Sequence, residues 1–200
     1  MPICVDAPSS KSVSHRTALA AALAPGTSRL FNVLSSQDIA RTLSCLSALG
    51  AGIDLGQVEI TVNGLDLSTW KGSEPKEPAD LDVGESGTTC RLITPIAALT
   101  GRACTIHGRG RMHERPIGAL TQVLEQLGVS FTWHGREGYP PFTLSSSGIT
   151  GGEVDVSLED SSQYLSGLLL AAPLAKGPMR IGISGDKAVS WPYVALTLQV

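Results

Sequence analysis

Two hundred residues, 42% hydrophobic and 16% charged, describe a soluble globular chain rather than a disordered one. The net charge of −3 comes from 18 acidic and 15 basic residues without any block of like charge. That excludes nucleic acid or an acidic membrane held by a global field, so any anion must be bound by a local cluster. Aromatic residues, at 4%, leave few stacking platforms for bases.

In chain order, Ile3 to Ala7 alternates as a strand, and Pro8 to Ser14 leads into a small-residue helix over His15 to Ala24, stopped by Pro25-Gly26. A second strand runs from Ser28 to Leu34. Ser35 and Ser36 then cap an amphipathic helix with Ile39, Leu43, Leu46 and Leu49 on one face and Gly50 as its stop. Strands at Gly52–Leu55 and Val58–Val62 close a β-α-β-α-β-β unit, and residues 63 to 79 form a linker or surface loop around Trp70 and Pro75.

The same order then restarts. A strand at Ala79–Val83 precedes a helix from Ser86 to Thr100, and a strand at Cys104–His107 precedes the basic loop 108–116. A helix carrying Ile117, Leu120, Leu124 and Leu127 ends at Gly128, and strands follow at Val129–Trp133 and Phe142–Leu144. A third unit opens with a strand at Glu153–Val156 and a helix from Ser161 to Ala175. A strand at Met179–Ile183 and the turn 184–187 lead to a last helix from Ser190.

Asp6, Asp82 and Asp155 hold the same place in the three opening strands, 76 and 73 residues apart. The predicted fold is therefore α+β, one globule of repeated β-α-β-α-β-β units with pseudo-threefold symmetry. The repeats cover about 3–64, 79–146 and 152–200. The helices after the opening strands are apolar nearly all round, which predicts central buried helices under outer sheets. By the period, roughly 28 further residues, including two strands, are expected to complete the third unit, so the chain reads as a fragment of a longer protein.

Cys4, Cys45, Cys90 and Cys104 show no CxxC spacing and are expected as reduced core thiols of a cytosolic protein. The start meets an acid at Asp6, unlike a signal peptide, and the longest apolar stretch, Leu165 to Ala175, falls short of the about 20 residues a membrane span needs. His15, His107, His113 and His134 lack metal-ligand spacing, so neither metal nor cofactor is expected. Ser86-Gly87 has no His-Asp partner that would make it a nucleophile elbow.

Each opening helix starts with groups suited to an anion: Lys11, Ser12, Ser14 and Arg16, then Ser86 to Thr89, then Ser161, Ser162 and Gln163. Taken singly, each is explained by capping. Three such N-termini brought together by symmetry would make one site for a multiply anionic ligand. Arg109, Arg111, His113 and Arg115 form the densest basic cluster, in which a planar guanidinium could hold carboxylate or phosphate. Arg115 could equally pair with Glu114 or Asp82. Glu85 and Asp160 sit where N-caps sit, and Trp133, Trp191 and Tyr164 read as core or cleft walls.

Ser10–Arg16, Gly84–Arg91, Gly110–Gly118, Tyr139–Pro141, Thr150–Gly152, Ser161–Gln163 and Ser190–Tyr193 run in order across nearly the whole chain, and with them it resembles the 5-enolpyruvylshikimate-3-phosphate synthase family. The resemblance implies two globules with substrates enclosed between them, this chain supplying most of one and its opening strand lying near the hinge. It implies transfer of the enolpyruvyl group of phosphoenolpyruvate to the 5-hydroxyl of shikimate 3-phosphate with release of phosphate, in aromatic amino-acid biosynthesis. Carried over by residue, Lys11, Ser12, Arg16, Ser161, Ser162, Gln163, Ser190 and Tyr193 would hold shikimate 3-phosphate. Lys11, Gly87, Arg111 and Gln163 would contact phosphoenolpyruvate, with Lys11 and Arg111 as the catalytic cations. The family's acid and base carboxylates lie in the second half. The implied protein is cytoplasmic, monomeric when full length, and free of nucleic-acid and membrane partners. Alternatives are a non-catalytic shikimate-3-phosphate-binding fragment and a UDP-N-acetylglucosamine enolpyruvyl transferase. Glu85 replaces a frequent Asn, setting a negative charge beside the expected phosphoenolpyruvate contact, and Leu92 replaces a frequent Pro, a change expected to shift the helix start and the fit of phosphoenolpyruvate analogues.

Overall fold

Ala-rich and Leu-rich runs interrupted by glycine stops fold into six α-helices and nine strands among the described residues. The computed structural model describes residues 7–67, 77–185 and 190–200. Helix α1 (Lys11–Leu23) is capped by the Ser10 hydroxyl, which accepts from Val13 N at 3.4 Å. The expected helix over His15 to Ala24 therefore begins four residues earlier, because Ser10 and not the Ser14 region supplies the cap. Strand β1 (Thr27–Phe31) is shorter than expected, stopped by Asn32, which follows it in the left-handed region (φ 54°). Helix α2 (Gln37–Ala48), capped by Ser36, and strands β2 (Gly52–Leu55) and β3 (Glu59–Asn63) follow as expected to within a residue. The expected opening strand at Ile3–Ala7, with Cys4 and Asp6, lies outside the described residues apart from Ala7, as does the linker around Trp70 and Pro75.

Next come β4 (Ala79–Asp82), α3 (Gly87–Leu99), β5 (Cys104–His107), a 3-10 turn (Gly110–Glu114) inside the expected loop, α4 (Gly118–Gln126), β6 (Val129–Trp133) and β7 (Phe142–Ser146). The chain then makes β8 (Gly152–Ser157), α5 (Gln163–Ala171), β9 (Met179–Ser184) and α6 (Trp191–Gln199). The expected helix to Ala175 is cut short at Ala171 and tightens into a 3-10 turn (Ala172–Leu174) carrying Pro173, whose missing N–H and ring do not suit a continuing α-helix. Gly50 (φ 104°) and Gly128 (φ 88°) both turn left-handed just past their helices, the conformation a glycine stop supplies without strain.

Three sheets result, ordered β1-β3-β2, β4-β5-β7-β6 and β8-β9. The first is antiparallel throughout; β4 runs parallel to β5 and β8 parallel to β9, each pair joined through a crossover helix. Phe131, Trp133 and Phe142 form a cross-strand aromatic cluster with ring centres 5.2 to 5.9 Å apart. The fold class is α+β, and no helix of the described residues is long and apolar enough to cross a membrane.

The buried apolar side chains make one cluster, with α3 in its middle against α5, α2 and α1. In α3 every residue is buried except Thr88 and Arg91. Leu92 is among the fully buried ones, in the core and away from the helix start. Each such Leu or Ile contributes about 1.5–3 kcal/mol by leaving water. Cys45, Cys90 and Cys104 are free and buried, their thiols pushed up to about 12, 12 and 11 by burial, which leaves them inert at neutral pH. Tyr164 is a core residue, donating its hydroxyl to Pro116 O at 2.7 Å, whereas Trp191 is exposed.

Close approach of α5 to α3 depends on a glycine. Pro95 has no N–H for the Arg91 carbonyl, and Gly167 packs against that oxygen so closely that an added Cβ would lie 2.9 Å from it and 3.1 Å from Pro95 Cγ. Gly167→Val should therefore force the helices apart and cost about 1–3 kcal/mol of unfolding free energy. Urea denaturation checks this, and an unchanged midpoint would show that the helix pair can relax.

Candidate functional site

Four helix beginnings meet around one cavity of about 400 Å³. Lys11, Ser12, His15 and Arg16 come from the first turns of α1, Thr88 and Arg91 from α3, Asp160 to Gln163 from the start of α5, and Ser190 and Tyr193 from the start of α6. Helix N-termini present N–H groups without intrahelical partners and the positive end of the helix dipole, so their convergence favours an anion. Thr88 and Arg91, three residues apart on one face of α3, are the two residues of that helix left outside the core, and both line the cavity.

Arg16 is the most informative side chain. It is 1% exposed, yet all its acceptors are neutral oxygens: Thr197 Oγ1 (2.7 Å), Ser166 Oγ (3.1 Å) and the carbonyls of Ser12 (3.0 Å) and Tyr193 (3.1 Å). Among the described residues it forms no ion pair, and burial holds its guanidinium below the ordinary arginine range. A buried charge without a counter-charge is costly, and an anion in the adjoining cavity would supply one. The same bonds tie α1 to α5 and α6, so Arg16 shapes the cavity as well as charging it.

Lys11 lies on the cavity wall and pairs with Asp38 at the start of α2. Gln163 is held in place on the cavity wall by two contacts, its Nε2 donating to Thr88 Oγ1 at 3.0 Å and its Oε1 accepting from Arg91 Nη1 at 3.4 Å. Arg91 also sits over the Tyr164 ring at 5.6 Å. Burial pushes the Tyr164 phenol up to about 12, keeping it a neutral donor. Ser161 and Ser162 are buried, and the Ser161 hydroxyl accepts from Gln163 N at 3.1 Å.

Of the residues expected from sequence, the structure brings Lys11, Ser12, Arg16, Ser161, Ser162, Gln163, Ser190 and Tyr193 to this one cavity. Gly87 and Arg111 are not among its lining residues. Gly87 opens α3 one residue before Thr88, and an added Cβ there would lie 2.6 Å from Arg115 Nη1 and 3.4 Å from Arg91 Nη1. The loop cation that reaches this corner is thus Arg115; Arg111 is exposed on the 3-10 turn. Arg115 does not pair with Asp82, whose carboxylate is taken by Arg41.

Capping also falls to other residues than expected. Ser86 caps α3, accepting from Thr89 N at 3.2 Å, while Glu85 is exposed with its carboxylate against Gly110, facing the loop of Arg109 and Arg111. Arg91, Asp38 and His15 were not singled out as ligand residues by the sequence. Arg91 is signalled by its i+3 spacing from Thr88; nothing local marks the other two.

A model of the EPSP synthase (3-phosphoshikimate 1-carboxyvinyltransferase) family matches residues 4–200. The chain is similar to the 3-phosphoshikimate 1-carboxyvinyltransferase of Tolumonas auensis, 42% identical over 198 residues and covering 98% of this chain and 45% of that protein. It is also similar to that of a Marinomonas species, 40% identical over 194 residues and covering 97% and 45%. Among solved structures, the EPSP synthase of Acinetobacter baumannii superposes with a TM-score of 0.75 at 26% identity, covering 90% of this chain and 40% of that one. The chain thus spans about half the length, 45%, of the curated relatives it matches.

Proposed function

Because the chain belongs to the EPSP synthase family, we propose that its cavity is the shikimate 3-phosphate site of an enzyme transferring the enolpyruvyl group from phosphoenolpyruvate. Arg16 carries this reading: a buried guanidinium with only neutral partners, at the wall of a cavity built from helix N-termini, is suited to a ligand of fixed negative charge. The Ser161, Ser162 and Ser190 hydroxyls and Gln163 suit a phosphorylated, hydroxylated ring, with Tyr193 as a wall and Lys11 and Ser12 at the start of α1.

Phosphoenolpyruvate would lie toward the start of α3, contacting Lys11, Gly87 and Gln163. Arg111 is kept in this set by the family resemblance, and Arg115 is the cation already beside Gly87. In the reaction a proton adds to the methylene carbon of phosphoenolpyruvate and the 5-hydroxyl of the ring, losing its own proton, bonds to the neighbouring carbon. The tetrahedral adduct then loses a methyl proton and its phosphate, restoring the double bond in the product. Lys11 and the arginines would stabilise the anionic groups throughout, without moving protons themselves. Proton transfer is assigned to carboxylates of a second globule supplied by the rest of a longer protein. Both substrates are multiply anionic and do not cross a bilayer unaided, so the proposed location is the cytoplasm. A monomer is proposed for the complete protein.

The test is phosphate release from the two substrates. The 200-residue chain alone should release none, and the chain joined to its second half should turn over. Turnover by the chain alone would overturn the assignment of the acid and base. Shikimate 3-phosphate binding without turnover in the complete protein would favour the non-catalytic alternative.

A further inference from the structure

Behind the cavity, four buried polar side chains form an unbroken line across three helices. His15 Nδ1 of α1 lies 2.8 Å from Thr42 Oγ1 of α2, which lies 2.8 Å from Thr89 Oγ1 of α3, which in turn donates to Ser86 Oγ at 2.8 Å. His15 and Thr42 are wholly buried, and Thr89 and Ser86 are 1% exposed. Polar groups persist in such surroundings when they are bonded, and here they bond one another.

The line joins two functional places. At one end His15 is part of the cavity wall, and its buried Nε2 has no partner. Burial, and then the nearby charge of Lys11, push its imidazole down to about 4, so the ring is neutral near pH 7 and has one donor and one acceptor nitrogen. At the other end Ser86 caps α3 and precedes Gly87, which faces Arg115. Asp38 lies beside the middle: its carbonyl is an alternative acceptor for the single hydroxyl protons of Thr42 (3.4 Å) and Thr89 (3.2 Å), and its carboxylate holds Lys11.

We infer that Thr42 is a positioning residue whose hydroxyl, bridging His15 and Thr89, sets the spacing between the cavity at the start of α1 and the corner at the start of α3. The inference rests on the function proposed for that site. It predicts an unequal effect on the two substrates. Helix α1 is anchored independently by the bonds of Arg16 to α5 and α6, so loss of the Thr42 hydroxyl leaves the shikimate 3-phosphate side in place. The first turn of α3 is tied across to α1 through Thr89 and Thr42, so it is the phosphoenolpyruvate side that shifts.

The experiment compares Thr42→Val, which keeps the shape and removes the hydroxyl, with Thr42→Ser, which keeps the hydroxyl, in the complete protein. In Thr42→Val the KM for phosphoenolpyruvate should rise five- to tenfold while that for shikimate 3-phosphate stays within twofold, and Thr42→Ser should restore it. In parallel, the backbone amide resonance of Gly87 should move in Thr42→Val and return in Thr42→Ser. Equal changes in both KM values, a fall in kcat alone, or a stationary Gly87 resonance would overturn the inference. Absence of turnover in the unmodified complete protein would instead remove the proposed function, and the Gly87 resonance would still decide whether the line of hydroxyls reaches α3.

Discussion

Replacing Arg16 by methionine is expected to weaken binding of shikimate 3-phosphate to the complete protein by about 100- to 1000-fold while changing its unfolding free energy by less than about 2 kcal/mol. The two effects separate because of how the guanidinium is buried. Its partners are hydroxyls and carbonyls, so the unliganded protein bears an uncompensated charge that an apolar side chain of similar length removes. The hydroxyls left behind retain bonds of their own: Thr197 Oγ1 donates to Ser166 Oγ at 2.9 Å or to Tyr193 O at 3.0 Å. The bound state loses a charge-assisted contact in a site shielded from water. Calorimetric titration and thermal melting measure the two quantities, and affinity within threefold of the unmodified protein would remove Arg16 from the site. Arg16→Lys should rescue little, since one ammonium cannot serve acceptors fixed on three helices by a planar fork.

The second large effect is expected at Lys11. Lys11→Met should lower kcat/KM by about 1000-fold or more, because the change removes a cation beside the reacting anions and also leaves the Asp38 carboxylate unneutralised behind the cavity wall. Stability should move by less than about 1 kcal/mol, since the Lys11–Asp38 pair is partly exposed and such pairs contribute little to folding. The double variant Lys11→Met, Asp38→Asn then tests the electrostatic account: with the stranded carboxylate gone, part of the lost activity should return, as a non-additive term in the cycle. A double variant no better than Lys11→Met would mean that Asp38 exerts no repulsion on the substrates. Activity of Lys11→Met within tenfold of the unmodified protein would remove the lysine from the chemistry.

Residues with strong local signals were legible in the sequence. Gly50 and Gly128 ended their helices as expected because a left-handed turn suits glycine, and the strands at Cys104–His107 and Val129–Trp133 were placed to the residue by alternation and β-branched or aromatic content. Ser36 was recognisable as a cap for the same local reason. Local pattern failed where two elements competed for one role. At α1 the sequence offered the hydroxyls of Ser12 and Ser14, and the structure caps the helix with Ser10; Ser14 instead accepts from Leu34 N at 2.9 Å, a contact 20 residues away that no window reveals. The capping carboxylate assigned to Glu85 likewise gave way to the Ser86 hydroxyl, which has the better reach to Thr89 N.

By itself, the sequence determined the α+β alternation, most element boundaries, and the membership of the small-residue and hydroxyl-rich stretches that begin α1, α3 and α5, because these depend on periodicity, capping and turn chemistry within a few residues. The tertiary structure alone decided what those beginnings do. It buried Arg16 among partners up to 181 positions away, set Arg115 and not Arg111 against Gly87, and ran a line of hydroxyls from His15 to Ser86. Burial, counter-charge and hydrogen-bond pairing arise from atoms distant in the chain and adjacent in space, and they are the quantities on which the proposed anion site at these four helix starts rests.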